Sequence, residues 1–348
     1  MTNLPEKMMM SALRFSRSLG KLELVRLPVP EVGRQEVRIQ VNYAGICGSD
    51  LHIIDGTSPC DGDRIILGHE ITGTIDRLGD DVMDLLVGDR VVVCPQESCG
   101  CCVQCDLGRP NFCVQGGYAS TVGYYRNGGY AEFCVVNRKQ VRKIPQELPF
   151  EVAVFAEPMS CVVSGWRKLN HVERSAAILV QGAGICGLLW LSYLHFLGFR
   201  HLSVADYQMH RRQIASQLSF SVQVFHPDQL KERQYDAIVE SAGTAAALQQ
   251  AYQLLKIGGQ LLIFGGPPQG SQITIDPSDI LFKELKIFGT VLGQDSFGET
   301  VNLLMPMYEA GYLNHRQLGT ELFPLEDYAI AFHELTERNI AKGIFAIA

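Results

Sequence analysis

The sequence predicts an α/β protein of two units, one β-rich and irregular, the other a doubly wound parallel sheet. Three observations predict it. A length of 348 residues favours two domains. Up to about Val136 the apolar runs are short and stop at glycine or proline, as strands in an irregular β body do. From about Ala176 apolar runs alternate with helical periods, the pattern of βαβ units. With 47% apolar and 19% charged residues a packed core is expected throughout, which excludes a disordered chain.

Taken in order, the opening MTNLPEKMMMSALRF contains no apolar segment of signal length and carries Glu6. Both features argue against a secretory or mitochondrial address, so a cytoplasmic location is expected. LELVRLPVPE, EVRIQVNYAG and GDRVVVCPQ read as strands of the first unit. Ala176 to Phe199 carries no charge and is long enough to span a bilayer, but Gln181 and four glycines divide it into a buried strand, a turn and a helix. Beyond it HLSVADYQ, YDAIVESAG, QLLIFGG and LKIFGTV complete a series of five strands. Helical periods return after Gln294, and GIFAIA reads as a closing strand, so the tail is expected to rejoin the first unit. Thirty Lys and Arg against 37 Asp and Glu give a net charge of −7 with no basic run, so neither nucleic acid nor a membrane is expected as a partner.

Gly182-Ala-Gly184-Ile-Cys-Gly187 is a G-x-G-x-x-G between a strand and an apolar helix, and Asp206 follows Gly187 by 19 residues at the end of LSVAD. The first glycine suits a tight turn, the second lets backbone approach a pyrophosphate, and the third lets helix pack on strand. Asp206 would accept from the adenosine ribose hydroxyls and repel a 2′-phosphate, which favours NAD over NADP. The blander reading is a packing turn followed by a surface aspartate.

Of 11 cysteines, five crowd between Cys99 and Cys113. Cys99, Cys102, Cys105 and Cys113 have a density suited to four thiolates around one zinc, a closed site and therefore a structural one. Cys101 lies inside the same loop and offers an alternative register. A second set is scattered: Cys47 in YAGICGSDLH, His69 and Glu70 in LGHEITG, and Glu157 in FAEPMSC. Spacing alone cannot bring these three loops to one ion, and a lone His beside a Glu is more often an ordinary pair.

Gly68-His69-Glu70-x2-Gly73-x5-Gly79-x2-Val82 matches the signature of zinc-dependent alcohol dehydrogenases. The chain resembles that medium-chain dehydrogenase/reductase family end to end, with GICGSDLH, the cysteine lobe, GDRVVV, GGYAEF, Glu157-Pro158 and GAGICG in the family's order. It is most similar to the sorbitol (polyol) and threonine dehydrogenase branch, since Glu157 stands where the liver-type enzymes have a cysteine. The resemblance implies a GroES-like catalytic domain over residues 1–156 and 297–348 and a Rossmann NAD-binding domain over 157–296. It implies a catalytic zinc on Cys47 and His69, with Glu70 and Glu157 alternating between direct and indirect roles, and a structural zinc on the cysteine lobe. It further implies Ser49 and His52 as proton relay, with Glu157 also counted as catalytic, and cofactor contacts from Cys186, Arg211, Gly265, Thr290, Val291 and Leu292. The implied activity is oxidation of a secondary alcohol of a polyol-like substrate with hydride passing to NAD, by a homodimer or homotetramer. A threonine-type dehydrogenase and a catalytically silent zinc protein on the same fold are the alternatives. Ile53, Leu292 and Gly293 stand where sorbitol dehydrogenases carry an aromatic and an Arg-Tyr pair, so a substrate other than sorbitol is expected.

Overall fold

The structure is a computed structural model describing residues 8–230 and 233–348; Glu6, on which part of the address reading rests, lies outside the described residues. Short strands dominate the first part: β1 (Met9–Ser16), β2 (Lys21–Pro28), β3 (Glu36–Gly45), β4 (Arg64–Ile66), β5 (Glu70–Leu78), β6 (Arg90–Val93), β7 (Phe133–Asn137) and β8 (Val141–Lys143). Alternation along β3 buries Val37, Ile39 and Val41 on one face, against Ile71, Ile75 and Val91 of its neighbours. The region is not purely β: the helix Gly48–Ile54 follows β3 directly, with Asp50 accepting from the Cys47 amide at 2.9 Å to close its first turn.

The second part supplies β9 (Ile178–Gln181), β10 (Leu202–Ala205), β11 (Gln223–Phe225), β12 (Tyr235–Glu240), β13 (Leu255–Ile263) and β14 (Lys286–Gly289). They form one parallel sheet in the order β11-β10-β9-β12-β13-β14, which runs outward both ways from β9 and places the switch point at the carboxyl end of β9. Sequence reading finds five of these six strands; β11 is three residues long, too short for a period to register. The uncharged stretch 176–199 divides into β9 and the buried helix Ile185–Phe196. Among the described residues no helix is long and apolar enough to cross a membrane.

The tail adds β15 (Thr320–Pro324) and β16 (Lys342–Ala346) to the first part's larger sheet, in the order β15-β16-β3-β5-β6-β8 with β7 also on β3. β15 is a second strand that sequence reading misses. The helix Ala156–Trp166 is buried along most of its length and packs between the sheets, against the helices Ile185–Phe196 and Phe297–Glu309. One apolar cluster accordingly runs from Val92 through Met159 to Trp190 and Leu304 and ties the two parts together.

Candidate active site

Two strand pairings assemble the scattered residues. Antiparallel β3 and β5 set Gly45 opposite Glu70, and antiparallel β16 and β3 set Ile344 opposite Gly45. Cys47, two residues past β3, therefore meets His69, one residue before β5, while Lys342 arrives from β16. A Cβ on Gly45 would lie 2.0 Å from Glu70 Oε2, so a side chain there would displace the carboxylate from this corner. The ligand atoms of Cys47, His69 and Glu70 lie within 4.8 Å of one another, with the histidine and the glutamate buried. A thiol, an imidazole and a carboxylate at that separation suit zinc, leaving a fourth position open.

Neighbours tune this corner. Asp50, fully buried, has Oδ1 3.5 Å from His69 Nδ1 and accepts at Oδ2 from the Tyr130 hydroxyl at 2.7 Å. Burial pushes Asp50 up, but His69 and these hydrogen bonds outweigh it and hold the carboxyl below its ordinary range. Asp50 thus lies on the Nδ1 side of the imidazole, where its charge favours a ring orientation that leaves Nε2 for a ligand. Lys342, also buried, forms an ion pair with Glu70 and donates to the Ile46 carbonyl at 3.2 Å. Burial pushes Lys342 down, and the Glu70 carboxylate more than restores its charge. Sequence reading misses both residues; Asp50 lies inside the quoted GICGSDLH, whereas a lone lysine in the closing strand gives no signal.

Glu157 stands outside the three-ligand set. It projects from the first turn of the helix Ala156–Trp166, lines the same cavity, and receives the Cys161 thiol at 3.6 Å. Burial, reinforced by the Glu70 charge, pushes its carboxyl up to about 7. The cavity is about 640 Å³ and lies between the β-rich part and the parallel sheet. Ser49 and His52 line it from one side, and Cys186, Gly265, Thr290, Val291 and Leu292 from the other. His52 is half-exposed, its Nδ1 3.2 Å from Thr57 Oγ1. Ile53 is buried in the β-rich core and does not reach the cavity, so it is no substrate position. At Gly293 a Cβ would fall 2.0 Å from Ser160 Oγ and 2.3 Å from the Ser160 carbonyl carbon, so the close approach of two backbones forbids any side chain there.

The glycine turn occupies the switch point. Gly182 has φ +97°, and a Cβ on Gly187 would lie 1.9 Å from the Gly182 oxygen, while nothing but the Arg211 guanidinium comes near a Cβ on Gly184. That open face beside the start of the helix Ile185–Phe196 suits a pyrophosphate. Asp206, at the end of β10, accepts from the Ala183 and Gln208 amides, each at 2.8 Å. Arg211 is mostly buried beside it; burial lowers its pKa while Asp206 supports its charge.

Further out, Cys99, Cys102, Cys105 and Cys113 converge, and Cys101 is exposed outside the set. Four of their six sulfur pairs are 3.5 to 3.9 Å apart and all lie within 4.8 Å, close to the ~3.8 Å edge of a tetrahedron with zinc–sulfur bonds of about 2.3 Å. The Cys101 amide and the neighbouring thiols bring Cys99 down to about 6, so a thiolate is available at neutral pH.

Residues 33–146 match the alcohol dehydrogenase GroES-like domain, and residues 186–306 match the zinc-binding dehydrogenase domain. D-altritol 5-dehydrogenase of Agrobacterium fabrum is 31% identical over 327 residues, covering 90% of this chain and 94% of its own. Among solved structures, a protein of Sinorhizobium meliloti 1021 described as a zinc-binding dehydrogenase and bound to NADP has a TM-score of 0.89 at 27% identity, covering 98% of this chain and 100% of its own. The short chain alcohol dehydrogenase RspB of Escherichia coli CFT073, complexed with NADH, has a TM-score of 0.85 at 26% identity, covering 97% and 99%.

Proposed function

Because the chain belongs to the zinc-dependent medium-chain alcohol dehydrogenase family, we propose that it oxidises a secondary hydroxyl of a small polyhydroxy compound and passes hydride to NAD. The observation that carries this reading is the Cys47, His69 and Glu70 corner, its histidine and glutamate buried, opening onto the same cavity as Cys186 and Gly265. Cys47 and His69 would hold the catalytic zinc with Glu70 or Glu157, Cys99, Cys102, Cys105 and Cys113 would hold the structural one, and Gly182, Gly184, Gly187, Asp206 and Arg211 would hold the dinucleotide. When bound, zinc supplies Lewis acidity toward the alcohol and the nicotinamide supplies the hydride acceptor.

The chain's own residues do the rest. Ser49 Oγ is buried with no hydrogen-bond partner among the described residues, so it is placed to accept a hydrogen bond from the alcohol and, as it takes that proton, to hand its own hydroxyl proton onward. His52, facing both cavity and solvent, can pass that proton to water, because an imidazole has one ring nitrogen to accept and another to donate. Lys342 offsets the Glu70 charge, and the buried Asp50 carboxylate faces His69 Nδ1 at 3.5 Å. Ile185 and Phe264 add apolar surface to the cavity wall, which disfavours water beside a bound substrate.

A polyhydroxy substrate is supported by the polar wall of Ser49, Ser58, Gln96, Tyr118 and Tyr124, and by the alditol named for the relative from Agrobacterium. Sorbitol is expected to be poor, since Leu292 is apolar and Gly293 admits no side chain. The homodimer or homotetramer rests on the family resemblance alone. Mixing the zinc-loaded protein with NAD and an alditol should produce the absorbance of reduced nicotinamide. Cys47→Ala should lose turnover by more than about 1,000-fold while keeping its fold and about one zinc per chain. Full activity in that variant would refute the assignment.

A further inference from the structure

At the edge of the parallel sheet away from the glycine turn, the amino ends of four neighbouring strands enclose a second concavity of about 480 Å³. Ser175 and Ala177 lead into β9, and Gln223 opens β11. His201 and Ser203 flank the first residue of β10; Arg233 and Gln234 lead into β12, which Tyr235 opens. Among the described residues the lining contains no acid. Asp236, next to Tyr235, has its carboxylate on Lys256 Nζ at 2.8 Å and on the Ala177 amide at 2.7 Å. Arg233 is held in place from two sides. Its guanidinium lies over the Phe225 ring, 4.1 Å from the centroid, and Nη1 reaches Gln223 Oε1 at 3.4 Å. Tyr235 is 3% exposed, and its phenol oxygen is buried with no partner within hydrogen-bond distance among the described residues, Ser203 being the neighbouring hydroxyl. A buried hydroxyl left unpaired is costly, so in the lining of a cationic groove it calls for an acceptor from outside the chain.

We propose that this groove is a second ligand site, one that takes the phosphate of a small phosphorylated metabolite. The Arg233 guanidinium offers parallel N–H donors, and the Tyr235 phenol, the Ser203 and Ser175 hydroxyls and the His201 imidazole add donors carried by three different strands. A phosphomonoester presents its oxygens in several directions, which donors arriving from separate strands can meet, whereas a carboxylate offers two oxygens in one plane. The groove is several times larger than a phosphate group, so an ester with a small polar body fills it better than the bare ion. It shares no lining residue with the cavity between the two parts, so its occupancy is separable from the oxidation chemistry.

Titration calorimetry on the zinc-loaded protein tests this, with excess NAD present to keep phosphate from the glycine turn and with inorganic phosphate, glycerol 3-phosphate and succinate as probes. Both phosphates should bind, the ester at least as tightly as the ion, and succinate at least about tenfold more weakly. Arg233→Gln should weaken binding of the ester by about tenfold or more, and Tyr235→Phe, which removes one oxygen and keeps the ring, by about threefold to tenfold. NAD binding and the thermal midpoint without phosphate should match wild type in both variants, so that the loss belongs to the groove. No binding of either phosphate, or succinate binding as tightly as the ester, would overturn the assignment. Phosphate binding that neither variant weakens would mark an adventitious ion only and overturn it as well.

Discussion

Each Asp206 carboxylate oxygen accepts one backbone amide, Ala183 N and Gln208 N, so the side chain is fixed before any nucleotide arrives. The lone pairs that remain can accept ribose hydroxyls, and the same charge repels a 2′-phosphate. Asp206→Ala should therefore lower the ratio of kcat/KM for NAD to that for NADP by about tenfold or more, because it removes the hydrogen bonds and the repulsion together. Steady-state kinetics with both cofactors check this, and a wild-type preference for NADP would contradict the role given to Asp206. Single residues differ sharply in how readable they are. Asp206 is announced by a glycine turn at a fixed offset. Lys342 is not, because a lysine in a strand is ordinarily solvated, and only the pairing of β16 with β3 buries it against Glu70. Ile53 shows the opposite error: its place in the motif suggests a substrate contact, while its face of the helix Gly48–Ile54 turns into the β core.

At the scale of elements, the cysteine lobe was legible because all four thiols fall within 15 residues, so local chain geometry nearly suffices to close the site. Cys105→Ser should remove that zinc and lower the thermal midpoint by ~5 °C or more, since a structural zinc contributes folding free energy. Differential scanning calorimetry with metal analysis tests it; an unchanged midpoint at full zinc content would contradict the lobe's role. The Cys47, His69 and Glu70 corner was not legible from spacing, because the register of β3 on β5 creates it. The resemblance to a known family supplied those residues where periodicity could not. Strands β11 and β15 escaped for another reason: QVF and TELFP are short and only partly apolar, and their neighbours in the sheet stabilise them more than their own pattern does.

For the molecule as a whole, the helix Ala156–Trp166 joins the two parts. Glu157 and Cys161 face the cavity from it, Met159 packs into the shared core, and Ser160 presses against Gly293. Through that helix the β-rich part, which carries the candidate metal ligands, and the parallel sheet, which carries the glycine turn, hold one cleft between them. The cleft sets the candidate ligand corner beside Ser49, Ser58, Gln96, Tyr118 and Tyr124, within a lining that is otherwise mostly apolar. A pocket built to hydrogen-bond several hydroxyls loses on the order of 1 to 3 kcal/mol for each one the substrate lacks. The most direct test is kcat/KM, measured by the formation of NADH, across ethanol, sorbitol, threonine and a set of alditols and sugar acids. The account predicts the highest value on a polyhydroxy compound other than sorbitol, with ethanol at least about 100-fold lower; a highest value on ethanol or another primary alcohol would contradict it.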